Sequence, residues 1–146
     1  MNRHFVEMLR ALSDAGAEHL VIGAHAVAAH GHLRATEDFD IFIRPTTDNA
    51  ERVIDAINRF GAPSRDLTIE DLATAGIFFQ IGVRPFRIDL INDIPGVTFE
   101  EAWNSRLEIE IDELMIPFIG KDALIKNKRA TGRPQDLLDA EALERT

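Results

Sequence analysis

Three aspartates stand where strands rarely place them. Asp38-Phe39-Asp40 opens an apolar run that continues to Ile43, and Asp89 interrupts Phe86-Arg87-Ile88-Asp89-Leu90-Ile91. Strand side chains alternate with period two, so Asp38 and Asp40 share one face while Phe39, Ile41 and Ile43 share the other. Acids inside strands are disfavoured, and three that converge repel one another. Such a cluster calls for a compensating cation, and magnesium suits hard carboxylate oxygens. One such aspartate alone reads as a solvent-facing strand residue; the chemistry is carried by the set.

Upstream, Leu20-Val21-Ile22-Gly23-Ala24 is a short apolar strand that turns at a glycine into the helix-prone run Ala24-His25-Ala26-Val27-Ala28-Ala29-His30. A glycine at that junction lets backbone N–H groups approach a phosphate, and a helix start favours its charge. Thirteen residues separate Ala24 from Asp38, so a phosphate cradle followed by paired carboxylates outlines a nucleoside triphosphate site. Near the C-terminus, Lys121, Lys126, Lys128, Arg129 and Arg133 fall within thirteen residues containing one acid, Asp122. That segment reads either as a solvated helix face or as a local patch for a small polyanion such as a nucleotide. His25, His30 and His32 do not share one helical face, so no zinc site is expected from them. Trp103 and the phenylalanines read as core.

The elements that must position these residues form a single domain: 146 residues, 45% hydrophobic and 28% charged, are ordinary for one folded unit. Sixteen basic against twenty-five acidic residues give a net charge of -9, which argues against an extended nucleic-acid interface. The absence of cysteine excludes disulfides, a thiolate nucleophile and Cys-ligated zinc. The uncharged stretch from Leu20 to Leu33 is too short and too polar to span a bilayer. No signal peptide is visible before Glu7, so a cytoplasmic protein without membrane partners is expected.

Helical spacing of Phe5, Met8, Leu9 and Leu12 ends at Gly16, and a second amphipathic helix, capped at Thr47, carries Ala50, Val53, Ile54, Ile57 and Phe60 to Gly61. Thr68 to Ala73 is a short helix at most. Ile77 to Val83 and Phe86 to Ile91 read as a hairpin across Arg84-Pro85. Thr98-Phe99-Glu100-Glu101 has capping-box spacing. Leu107 to Ile111 alternates as a half-exposed strand paired with Met115 to Ile119. Helices at about Asp122 to Ala130 and Pro134 to Leu143 complete the chain. The expectation is α+β, a mixed or antiparallel sheet with helices packed on it, with a core over about 1–120 and two short helices over 121–146.

Ile22-Gly23-Ala24, the spacer, Asp38-Phe39-Asp40-Ile41 and Ile88-Asp89-Leu90 together resemble the polymerase β-like nucleotidyltransferase superfamily, especially its small bacterial members. The phrase from Gly23 to Gly31 with Arg34-Ala35-Thr36, and the tail from Asn127 to Asp139, resemble abortive-infection toxin nucleotidyltransferases. The resemblance spans nearly the whole chain and implies transfer of an NMP group from an NTP to a hydroxyl acceptor, with release of pyrophosphate.

By that resemblance, Asp38, Asp40 and Asp89 are catalytic and hold two magnesium ions, manganese being an alternative. Asp89 would also help to deprotonate the acceptor. Gly23 and Ala24 would cradle phosphates, with Arg34 and Lys128 neutralising charge, while Asp136 pairs with the basic helix turn rather than with metal. Ala24 replaces the usual second Gly or Ser, which removes a hydroxyl donor and keeps the backbone N–H. The short region after Ile119 implies that a second copy, or a helical or antitoxin partner protein, completes the acceptor site. A toxin–antitoxin component and a non-catalytic nucleotide-binding or interaction module are the alternatives.

Overall fold

A computed structural model describes residues 1–32, 36–63 and 66–145. The first helix, α1 (Arg3–Asp14), starts at Asn2, whose side-chain oxygen accepts from the His4 N–H, and buries Phe5, Met8, Leu9 and Leu12. The chain then runs through β1 (His19–Val21), α2 (Gly23–Ala29), β2 (Asp38–Ile43), α3 (Thr47–Phe60) and α4 (Ile69–Ala73). It continues as β3 (Phe78–Ile81), β4 (Arg87–Ile91), α5 (Phe99–Asn104), β5 (Leu107–Ile111), β6 (Leu114–Phe118), α6 (Lys121–Thr131) and α7 (Pro134–Glu144).

The strands form one six-stranded sheet in the order β3-β4-β2-β1-β6-β5. It is mixed: β2 runs parallel to β4 and β1 to β6, while the other neighbours are antiparallel. Phe39, Ile41, Ile43, Ile88 and Leu90 are buried with the apolar faces of α1 and α3, giving the α+β architecture expected from the sequence. A second buried group, including Phe42, Phe99, Ile119 and Leu124, extends the core beneath α5 and α6.

Local capping accounts for most boundaries. The α3 cap is Thr46, not Thr47: the Thr46 side chain accepts from Asn49 N, while Thr47 already lies in the first turn. Gly61, at φ 93°, ends that helix in the left-handed conformation, which side chains with a Cβ rarely adopt. Thr98 and Glu101 form the reciprocal capping box expected for α5, and Thr68 with Asp71 forms another at α4. The β3 strand is shorter than its apolar run. The Ile77 N–H donates to the Asn92 side-chain oxygen at 2.8 Å instead of to a strand neighbour, and Gly82 turns to φ 73° at the other end.

Among the described residues, no helix is long and apolar enough to cross a membrane.

Candidate active site

The parallel pairing of β2 with β4 builds the site. Its register sets Asp40 opposite Asp89 and Asp38 opposite Arg87. Because both strands alternate, these four side chains lie on one face of the sheet, while Phe39, Ile41, Ile88 and Leu90 enter the core on the other. The three carboxylates singled out in the sequence are thus brought together.

Their environments differ. Asp89 is buried, 3% exposed, and accepts a charged hydrogen bond from Arg87 Nη2 at 3.1 Å. Asp38 is held in a fork: Arg84 Nε donates to Oδ1 at 2.9 Å and Nη2 to Oδ2 at 3.1 Å, with Arg87 3.6 Å away. That fork, seconded by the charges of both arginines, outweighs partial burial and keeps the Asp38 carboxyl below its ordinary range. Asp40 goes the other way. Burial, then the charge and hydrogen bond of Asp89, push it up to about 6.

The turn before α2 closes on Asp40. Gly23 has φ 68°, and a Cβ built on it would stand 2.6 Å from Asp40 Oδ2. Glycine is therefore required there both by conformation and by close approach. Gly23 and Ala24 line an open cavity of about 320 Å³ with Thr36, Asp38, Asp40 and Lys128. A second recess of about 220 Å³ continues from Gly23 and Asp40 past Asn127 and Arg133.

Lys128 reaches this cavity from α6 as a buried ammonium, 3.0 Å from Asp136 and 3.3 Å from Asp139. Asp136 also accepts from Thr131 Oγ1 and Arg133 Nε. Burial alone raises its carboxyl, but these three donors prevail and hold it below the usual range. Asp136 thus pairs with the basic helix turn, as the sequence suggested.

The basic segment divides. Lys128 and Arg133 face the cavity, whereas Lys126 pairs with Glu101 and Arg129 with Glu144. Arg34 lies outside the described residues. His30 Nε2 is 2.9 Å from the Ile119 carbonyl, and His25 packs edge-on against Phe5 and Phe39. Trp103 is partly buried and stacks on Phe99.

Arg84 and Arg87 were not anticipated as the cations of this cluster. The signal was present in Arg87-Ile88-Asp89, where period two puts the guanidinium beside the buried acid. Arg84 sits in the β3–β4 turn and meets Asp38 only through the sheet, so spacing could not reveal it.

The donors suit a hard divalent cation in part. All are carboxylate oxygens, and Asp40 beside Asp89 is an undercompensated acidic pair, as its raised affinity for a proton indicates. Asp38 and Asp89, however, are engaged by guanidinium groups. Among the described residues, no three His, Cys, Asp or Glu side chains are arranged as a ready metal site.

No protein-family model and no curated protein sequence matches this chain. Solved structures do. The lincomycin-bound lincosamide antibiotic adenylyltransferase LnuA is similar at 12% identity and TM-score 0.61 over 99% of this chain and 96% of its own. A candidate nucleotidyltransferase from Thermotoga maritima, TM1012, is similar at 16% identity and TM-score 0.59 over 99% and 94%. The likeness covers almost the full length of all three chains, C-terminal helices included. This chain has the fold of these two nucleotidyltransferase structures.

Proposed function

We propose that the protein is a divalent-metal-dependent nucleotidyltransferase that moves an NMP group from an NTP to a hydroxyl acceptor. The observation that carries this reading is the meeting of Gly23 with Asp40. A left-handed glycine turn, opening onto a cavity, is pressed against one of three carboxylates gathered by the β2–β4 register. A turn of that kind presents backbone N–H groups to phosphate oxygens, and Lys128 adds a positive charge on the same side.

Asp38, Asp40 and Asp89 would hold the cation, which when bound neutralises triphosphate charge and makes the acceptor hydroxyl more acidic. The acceptor oxygen forms its bond to the α-phosphorus as the bond to the β-phosphate oxygen breaks. Pyrophosphate departs toward Gly23 and Lys128, and the hydroxyl proton passes to a carboxylate of the cluster. Arg87 keeps Asp89 oriented, since its guanidinium spans both carboxylate oxygens at 3.1 to 3.3 Å. The Asp40–Asp89 repulsion is relieved when the cation enters, so metal and nucleotide stabilise the folded protein.

The test is the melting temperature with each NTP plus magnesium or manganese, for wild type and for Asp38→Asn/Asp40→Asn. A metal-dependent upward shift that the double variant loses supports the reading, and pyrophosphate release with trial acceptors then follows. No shift with any NTP on folded protein removes the enzyme and leaves an interaction module that keeps the fold.

A further inference from the structure

The Arg84 fork on Asp38 has a specific consequence for how this site fills, resting on the nucleotidyltransferase reading above. Arg84 belongs to the short segment between β3 and β4, and its side chain is 57% exposed while that of Asp38 is 26% exposed. Both guanidinium nitrogens that bond Asp38 take one carboxylate oxygen each. In that geometry both oxygens of Asp38 are occupied by one rigid donor pair, and a bidentate pair is stronger than a single charged contact. The neighbouring Arg87 lies 3.6 Å from the same carboxylate, so Asp38 is already flanked by two positive charges. A divalent cation approaching Asp38 meets repulsion from both arginines and must displace one of them.

Arg87 cannot leave as readily. It is bound to the buried Asp89 and its side chain is 26% exposed, whereas Arg84 stands on an exposed turn with a long side chain free to swing. Since Asp38 lines the cavity shared with Gly23 and Lys128, a guanidinium released from Asp38 is at the rim where nucleotide phosphates would lie. Guanidinium forks fit phosphate oxygens as well as they fit carboxylates.

We propose that Arg84 is an exchangeable counter-ion: it closes Asp38 to cations until a nucleotide supplies phosphate oxygens that draw the guanidinium away. The cation and the nucleotide consequently enter together, and the cation alone binds poorly. Arg84 is a positioning residue in this scheme, which requires no covalent step of its own.

The experiment measures manganese binding without nucleotide, by water-proton relaxation or electron paramagnetic resonance, alongside NTP binding at saturating magnesium. Wild type, Arg84→Ala, Arg84→Lys and Asp38→Asn are compared, each checked for an intact melting transition in metal-free buffer. Arg84→Ala is expected to bind manganese alone about threefold to tenfold more tightly and the magnesium-loaded NTP about threefold to tenfold more weakly, the scale of one exposed bidentate ion pair. Arg84→Lys, which keeps the charge and loses the fork, should fall between the two. Unchanged manganese affinity in Arg84→Ala, with weakened binding in Asp38→Asn, overturns the counter-ion role and leaves the metal site standing. Manganese affinity insensitive to Asp38→Asn as well as to Arg84→Ala overturns the site reading itself, and the counter-ion role falls with it. Tighter manganese binding without any loss of NTP affinity also overturns the exchange, since the guanidinium then has no second partner.

Discussion

Replacing Asp40 by asparagine should make the metal-free protein more stable. The carboxyl of Asp40 is pushed from 3.8 to about 6 by burial first and by Asp89 second, so the folded state holds a proton that the unfolded chain releases. An acid shifted upward favours folding below its unfolded pKa and loses that advantage as pH rises through the folded value. At about 1.4 kcal/mol per pH unit, the rise from 3.8 to about 6 sets an upper bound of about 3 kcal/mol for the strain of ionised Asp40 at neutral pH. The amide of asparagine has nearly the same shape and can donate to Asp89 as a protonated carboxyl does, so the variant escapes the penalty without opening a cavity.

Urea unfolding in the presence of a chelator, repeated across pH, measures this directly. Wild type and Asp40→Asn should coincide in acid, separate between 3.8 and about 6, and stay apart by about 1–3 kcal/mol above that window. Magnesium or manganese added together with an NTP should reverse the order, because wild type alone retains the full set of carboxylates. A variant less stable than wild type in metal-free buffer at about pH 8, or a gap that does not change with pH, would refute the account of Asp40 as a strained, undercompensated acid.

Three further substitutions probe neighbouring features. Gly23→Ala places a methyl 2.6 Å from Asp40 Oδ2 at φ 68°; a loss of about 1–2 kcal/mol is expected in thermal or urea unfolding, along with any nucleotide-dependent stabilisation. Lys128→Met leaves Asp136 and Asp139 buried without their ammonium, which should cost about 3–5 kcal/mol by denaturant unfolding. Asn92→Ala removes the side chain that accepts from Gly76 N and Ile77 N and donates to Leu72 O and Thr74 O. Its loss should lower stability by about 2–4 kcal/mol, with hydrogen exchange fastest at Gly76 and Ile77.

The helices were legible because their signals are local. Phe5, Met8, Leu9 and Leu12 recur at helical spacing, and Thr98 with Glu101 meets its own cap within one turn. The carboxylate face was legible for a similar reason, since period two places Asp38 with Asp40 whatever strand lies alongside. What could not be read was partnership across the sheet. The parallel register that sets Asp40 against Asp89 and Asp38 against Arg87 joins residues about fifty positions apart, and only the packed core selects it. The same holds for Asn92, which ties the loop after α4 to the end of β4 through four hydrogen bonds that no local pattern announces. Lys128 was ambiguous between a surface cation and a site residue, and its burial between two acids of α7 depends on a helix pair formed only after the chain reverses at Gly132.

The β2–β4 register also protects the site from its own misassembly. A slip by one residue would turn Asp89 and Arg87 toward the side where Phe39 and Ile41 pack, and would expose Ile88 and Leu90 in their place. A slip of that kind therefore forces charge into the core and apolar side chains into water. One-residue errors of pairing are rejected by the folding transition itself, before any ligand is present to check them. Sequence drift in this pair of strands is constrained twice by the same residues, and a chain that folds cooperatively has, by that fact, already assembled its acidic face.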